Sequence, residues 1–226
     1  MSFSLIILAG GESHRFGSKI AKPYQKIAGK SLIEINVIKA RNFKEIKKIV
    51  VVYNKKDSKR VKSLKLQNVK LILGGNNRQE STFNGLKYLI KQKGIKKVLI
   101  HDAARPNFSY ELFRKILKNM KNFKAVVPKI AVHDAVKQII DSSKEEYILS
   151  KRKEYLFLTQ TPQAFNLREI YHLHKVSFQK YKDDDISLYM DLNHVKFIPG
   201  EKNNFKITEK TDFENLKKIY KSNISV

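Results

Sequence analysis

The apolar run Phe3-Ser4-Leu5-Ile6-Ile7 empties into Leu8-Ala9-Gly10-Gly11-Glu12-Ser13-His14-Arg15-Phe16-Gly17, with Lys19 and Lys22 close behind. A short run with almost no polar alternation reads as a strand covered on both faces. Adjacent glycines at its end let backbone N–H groups approach an anion with no Cβ in the way, and the Arg and Lys that follow neutralise it. The spacing is neither a Walker P-loop nor Gly-x-Gly-x-x-Gly, so the loop belongs to another class of nucleotide site.

Similar runs recur at 48–53, 69–73, 97–100, 124–127 and 195–198, with helical patterns between them. Ser31-Leu32-Ile33-Glu34 has the form of a capping box, opening a helix with Leu32, Ile35 and Ile38 on one face. Residues 79–92 and 109–121 have helical spacing. Thr211-Asp212-Phe213-Glu214 predicts a second capping box before a final helix carrying Leu216 and Ile219. This alternation predicts an α/β protein: a Rossmann-like, mostly parallel sheet with helices on both faces, in a single domain over 1–226. Residues 129–160 break the rhythm. Val132, Val136, Ile139 and Ile140, then Tyr147, Ile148 and Leu149, flank a polar turn at 141–144, which predicts an extended β-arm outside the main sheet.

Charge adds a rival reading. The chain carries 46 Lys+Arg against 21 Asp+Glu, a net +25, which suits nucleic acid, a lysine-biased surface, or a field that steers an anionic small substrate. Only eight of the cations are Arg, the Lys residues are scattered, and no RNP pattern, zinc finger or basic zipper is present. Nucleic acid is therefore not the expected partner. The absence of Cys excludes disulfides and thiolate metal sites. No apolar run approaches the ~20 residues of a membrane span, and the N-terminus lacks a signal-peptide pattern. A cytoplasmic protein without membrane contact is expected.

In a parallel α/β sheet ligands bind beyond the carboxyl ends of the strands. Four segments fall there: 8–22, Gly74–Ser81, His101–Pro106 and Gly200–Thr208. Taken singly, each has a plain reading. Gly74-Gly75 suits a turn, Asp102 a helix N-cap, and Lys206 ordinary surface. Together they set Arg15, Lys22, Arg78, Asp102, Arg105 and Lys206 on one rim. Arg15, Arg78, Arg105 and Arg152 fall in candidate site segments, where planar bidentate recognition of phosphate favours Arg over Lys. His101, at a strand end, reads as structural. His133 in the arm reads as surface. His172 and His174 are two apart on a helix and face different sides. Asp183-Asp184-Asp185 reads as an N-cap and first turn for 185–190 rather than as a cation site.

Leu-Ala-Gly-Gly-x-x-x-Arg, Lys22-Pro23-Tyr24, Gly-Gly-x-x-Arg-x-x-Ser, His-Asp-Ala-Ala-Arg-Pro, Thr161-Pro-Gln-Ala-Phe165 and Asn204-Phe-Lys-Ile-Thr208 occur in this order. In this the chain resembles the 2-C-methyl-D-erythritol 4-phosphate cytidylyltransferase family from about residue 3 to residue 220. The resemblance implies that Ala9, Gly10 and Gly11 line CTP, with Gly75, Asn76 and Ser81 near the cytosine and Arg78 among the nucleotide-binding residues. Arg15 and Lys22 would grip the triphosphate, and Asp102 would lie beside Mg²⁺ and the reacting phosphates. Lys206 would face Lys22 across the α-phosphate. Asp102, Arg105, Thr161 and the arm would hold the polyol phosphate, and the arm would cross to a second subunit of a homodimer. Three positions depart from the family pattern. Its arm Asp-Thr is Asp134-Ala135 here, its arm Arg falls on Lys153 with Arg152 one residue earlier, and its Gly-Gly-Asp ends in Asn76.

The implied reaction is attack of a phosphate oxygen on the α-phosphorus of CTP, with release of pyrophosphate. That nucleophile is anionic near neutral pH, so catalysis rests on neutralising charge and holding the reactants in line. Ribitol-5-phosphate cytidylyltransferase is the nearest rival. Molybdenum-cofactor guanylyltransferases share the opening loop but not His101–Pro106. A basic nucleic-acid-binding protein is the rival of another class.

Overall fold

The computed structural model describes residues 1–11, 13–18, 20–141, 146–149, 152–177 and 182–222. Glu12 and Lys19 of the opening loop, and residues 142–144 of the expected arm turn, lie outside them. The strands are β1 (Phe3–Ala9), β2 (Lys26–Ile27), β3 (Lys30–Ser31), β4 (Ile46–Tyr53), β5 (Val69–Leu73) and β6 (Lys97–Asp102). They continue with β7 (Ala125–Ala131), β8 (Lys137–Asp141), β9 (Glu146–Leu149), β10 (Phe157–Thr159), β11 (Gln163–Asn166) and β12 (Val195–Pro199). The helices are α1 (Leu32–Arg41), α2 (Ser58–Ser63), α3 (Arg78–Leu89), α4 (Tyr110–Asn119), α5 (Leu167–Val176) and α6 (Lys210–Ser222).

The main sheet has eight strands in the order β10-β7-β11-β6-β1-β4-β5, with β12 on β7. β6, β1, β4 and β5 run parallel to one another, and β12 runs parallel to β7. β11 is antiparallel to both β6 and β7, and β10 is antiparallel to β7. The sheet is thus mostly parallel but mixed. Successive β1 residues take opposite faces. Leu5 and Ile7 pack with Ile33 and Val37 of α1 and Phe113 and Ile116 of α4. Ile6 packs on the other face with Leu86 and Leu89 of α3 and Ile170 of α5. The apolar runs lack alternation because helices cover both faces.

The first capping box forms as expected: Ser31 Oγ accepts from Glu34 N at 3.2 Å, and Ser31 N donates to the Glu34 carboxylate at 2.7 Å. The second does not. α6 starts before Thr211, and it is Asp212 that accepts from the backbone N–H groups of Thr208 and Glu209, at 2.8 and 2.9 Å. An acid three residues past the cap closes the same ring whether or not a Ser or Thr precedes it. The arm is also shorter than 129–160. β7 runs on to Ala131 and β10 returns to pair with it, so among the described residues of 129–160 β8 and β9 leave the main sheet, as a separate antiparallel pair like β2 and β3. Among the described residues no helix is long and apolar enough to cross a membrane.

Candidate active site

The ends of β1, β4, β5 and β6 surround a cleft of about 750 Å³. Gly10, Gly11 and Ser13 line it from the β1 loop, Asn54–Lys56 from β4, Gly74–Arg78 from β5 and Asp102 from β6. Asn54 Nδ2 donates to the Gly10 carbonyl at 3.3 Å, tying two of these loops together. Gly74 admits no side chain cheaply, since a Cβ there would stand 2.9 Å from Ser81 Oγ and 3.2 Å from the Tyr53 carbonyl. Ser81 Oγ accepts from Gly75 N at 3.1 Å, so the loop meets the first turn of α3. Ala9 is buried at the end of β1 and lies behind this lining.

Lys22 begins a short 3-10 helix whose Pro23 and Tyr24 are buried, and its N–H donates to Ser13 Oγ at 3.1 Å. Burial lowers its pKa from the ordinary lysine value, and the charges of Lys206 and Arg15 lower it further. Lys206 lines the same cleft. Arg15, expected to grip the triphosphate, is exposed on the adjoining 3-10 turn and lines neither cleft, though its charge acts on Lys22. The apolar seam behind these cations explains their convergence. Phe16, Ala104, Ile207 and Phe213 share one buried cluster, with Phe16 and Phe213 edge to face at 5.9 Å. Burial of Phe16 and Ile207 in that cluster fixes the backbone beside Arg15 and Lys206, and Lys206 enters the cleft while Arg15 stays at its outer edge.

A second cleft, of about 630 Å³, shares Arg78, Asp102 and Lys206 with the first and adds Arg105, Phe157–Thr159, Thr161 and Asp183–Asp184. The boundary is an ion row. Asp102 Oδ1 accepts from Arg78 Nε at 3.3 Å, and Asp102 Oδ2 pairs with Lys206 Nζ at 2.8 Å. Burial would raise the Asp102 pKa, but Arg78, Lys206 and Arg105 hold it well below the usual carboxylate range. Arg105 Nη1 donates to the Asn204 carbonyl at 2.8 Å, while its buried Nε has no partner among the described residues. Burial lowers the Arg105 pKa.

His101 lies beneath this row. Its Nε2 is 3.0 Å from both Asn36 Oδ1 and the Arg105 carbonyl. Two acceptors require the proton on Nε2, so Nδ1 accepts from the Thr161 hydroxyl at 3.0 Å. Burial pushes the His101 pKa down to about 3, which fixes the neutral ring. Thr161, 4% exposed, also accepts from Asp102 N at 3.1 Å. Its hydroxyl thus braces the Asp102 backbone.

Several residues fall elsewhere than the sequence suggests. Asp185 does not cap a helix. It is buried, 2.8 Å from Arg78 Nη2 and 3.1 Å from His174 Nε2. Asp184 does the capping, accepting from Ser187 N at 3.2 Å. Arg78 does line the first cleft, as expected, and is in addition held between Asp102 and Asp185. Burial opposes its charge, but the two carboxylates outweigh it and raise its pKa. Among the described residues Ala135, Arg152 and Lys153 line neither cleft. Ala135 is exposed, Arg152 pairs with Glu154 at 3.7 Å, and Lys153 Nζ donates to the His133 carbonyl at 2.9 Å. Asp185 was expected only as a helix cap, and Gln160, whose amide bonds the Glu201 and Asn204 carbonyls at 2.8 and 3.3 Å, was not anticipated from the sequence. The signal for Asp185 was an acid set directly against the core residues Ile186 and Leu188.

Comparisons with known proteins identify the family. The model of the family IspD, 2-C-methyl-D-erythritol 4-phosphate cytidylyltransferase, matches residues 3–222. The bifunctional enzyme IspD/IspF of Pelagibacter ubique is 41% identical over 221 residues, 97% of this chain and 58% of that protein. The chain thus spans little more than half that relative's length. The 2-C-methyl-D-erythritol 4-phosphate cytidylyltransferase of Thermosipho melanesiensis is 34% identical, covering 92% of each chain. The crystal structure of 4-diphosphocytidyl-2C-methyl-D-erythritol synthase from Anaerococcus prevotii superposes with a TM-score of 0.81 at 32% identity, covering 97% of this chain and 96% of that one. With the glycine-lined cleft, the converging lysines and a match over nearly its whole length, the chain belongs to the 2-C-methyl-D-erythritol 4-phosphate cytidylyltransferase family.

Proposed function

We propose that the two clefts hold CTP and 2-C-methyl-D-erythritol 4-phosphate side by side and that the protein transfers CMP between them. The observation that carries this is the meeting of Lys22 and Lys206 over one cleft, close enough for each charge to act on the other. Crowded cations are unfavourable until an anion arrives, and a triphosphate is such an anion. A phosphate oxygen of the polyol forms the new bond to the α-phosphorus. The bond to the β-phosphate bridging oxygen breaks, and its electron pair leaves with pyrophosphate. Lys22 and Lys206 meet the charge that develops on the α-phosphoryl oxygens, and Arg15 adds to the field at the triphosphate. Losing one such donor costs about 3 kcal/mol of transition-state stabilisation. In the second cleft Arg105 takes the polyol phosphate, with its floor fixed by Thr161 and His101. The backbone of Gly10, Gly11, Gly75 and Asn76, with Ser81, shapes the nucleotide side.

Among the described residues no group of three metal-ligating side chains is assembled. Asp102, at the boundary of the two clefts, would hold a Mg²⁺ carried in on the triphosphate by giving up one of its contacts to Arg78 or Lys206, since that ion keeps water and phosphate ligands and asks little of the protein. Such an ion would supply further neutralisation of the phosphates. The arm, off both clefts, reaches a second copy, where Arg152 or Lys153 completes the partner's polyol-phosphate cleft.

The test is pyrophosphate release from CTP with methylerythritol phosphate and ribitol phosphate assayed side by side. Turnover is expected with the first. Release with ribitol phosphate alone would reassign the acceptor, and release with neither would reject the reading.

A further inference from the structure

Arg78 stands where the two clefts meet and touches two carboxylates that come from different parts of the chain. Its Nε donates to Asp102 Oδ1 at 3.3 Å, and its Nη2 lies 2.8 Å from Asp185 Oδ2. Asp102 faces both clefts, whereas Asp185 lines neither. Asp185 is 1% exposed, and its other oxygen is 3.1 Å from Nε2 of the equally buried His174. A carboxylate this deep is costly unless something uses its charge.

The segment around Asp185 does not need that charge to stay in place. Gln79, next to Arg78, donates through Nε2 to the Ser177 carbonyl at 3.0 Å and accepts from Lys182 N at 2.9 Å. Asp184 accepts from Thr159 Oγ1 at 2.6 Å and from Gln163 Nε2 at 2.9 Å. Gln163 Oε1 accepts from Ile186 N at 3.3 Å. These contacts stitch residues 182–187 to α3, β10 and β11. What Asp185 adds is a second, close charge contact, at 2.8 Å without hydrogen-bond alignment, on a planar cation already bonded to Asp102, which restrains the guanidinium from the far side.

We infer that Asp185 is a positioning residue for nucleotidyl transfer: backed by His174, it sets the Arg78 guanidinium against Asp102 and, through Asp102, the place of Lys206. The series His174, Asp185, Arg78, Asp102, Lys206 ends on the ammonium that the proposed function brings to the α-phosphate. The kinetic consequences rest on that function, and the geometric ones do not.

The kinetic test is a double-mutant cycle on pyrophosphate release, with Asp185→Asn placed in the wild-type and Arg78→Gln backgrounds and thermal melting followed in parallel. Residues that act as one unit are strongly non-additive. Asp185→Asn alone is expected to lower kcat about tenfold while KM for CTP stays within about twofold; with Arg78→Gln already present it costs less than about twofold. The same penalty in both backgrounds, or unimpaired turnover in the single variant, overturns the inference. If Asp185→Asn does not fold, His174→Gln enters the same cycle, with an expected loss of about threefold that disappears beside Arg78→Gln; additivity there overturns the inference too. The geometric test is a crystal structure of Asp185→Asn, or of His174→Gln in its place. Arg78 is expected to leave hydrogen-bonding reach of Asp102, and an unmoved guanidinium refutes the inference whatever the activity. A wild-type protein that releases no pyrophosphate counts against the proposed function and leaves the crystal structure to decide this one.

Discussion

The first cleft is built from the loops that leave four parallel strands, β1, β4, β5 and β6. The second cleft is built where the sheet turns antiparallel, from β10, the turn before β11, the 183–187 segment and β12. The first uses backbone and glycine, and its position follows from the general rule for parallel sheets. The second depends on side-chain bonds between distant segments. Arg105 holds Asn204, and Asn204 Nδ2 donates to the Thr161 carbonyl at 2.9 Å. Gln160 Nε2 donates to the Glu201 carbonyl at 2.8 Å and Gln160 Oε1 accepts from Glu201 N at 3.0 Å. Gly200 permits that clasp, because a Cβ there would stand 2.5 Å from Gln160 Oε1 and 3.1 Å from the Lys129 carbonyl. A site on a parallel edge is specified by local loops, whereas one at an antiparallel switch is specified by tertiary contacts.

The contrast breaks most visibly at Lys22. Lys22→Ala is expected to lower kcat at least ~100-fold with the melting temperature unchanged, the scale of a lost oxyanion donor. Wild-type-like turnover would mean that the first cleft does not carry the chemistry.

The next effect concerns the floor of the second cleft. The folded-state pKa of His101, about 3, lies below its ordinary value near 6.5. The unfolded chain therefore binds more protons on acidification, so this contribution is fully present above about pH 6.5 and is lost as pH falls toward 3. Between pH 6.5 and 5 the wild type should lose about 2 kcal/mol that His101→Gln does not, read by urea denaturation at each pH. Parallel losses in the two proteins would show that the buried ring is not the titrating group.

Arg105 sharpens the separation of the two clefts. Arg105→Ala should raise KM for the polyol phosphate about tenfold, the cost of one charge-assisted hydrogen bond, and leave KM for CTP within about twofold. Equal losses for both substrates would merge the two clefts into one.

The legible part of the chain was its periodic part. Phe3–Ala9, the 48–53 and 69–73 runs and the Ser31 capping box were readable because burial on both faces and a closed backbone ring leave local signatures. β10 and β11 were not. Phe157–Thr159 is too short to show a period, and Gln163–Asn166 carries polar residues whose partners lie elsewhere in the chain. Asp185 was misread because its one local signal, the apolar Ile186 and Leu188 beside it, does not name the distant Arg78 and His174 that it faces.

The sequence by itself determined the α/β class, the glycine loop at the end of the first strand and the residue types that gather around phosphate, because strand periods and glycine chemistry act over a few neighbouring residues. Only the tertiary structure decided that Arg78 is clasped by two carboxylates, that the Thr161 hydroxyl braces Asp102, and that Arg152 and Lys153 stand off both clefts. Those outcomes depend on which distant groups burial brings within hydrogen-bonding distance, and no local pattern encodes that.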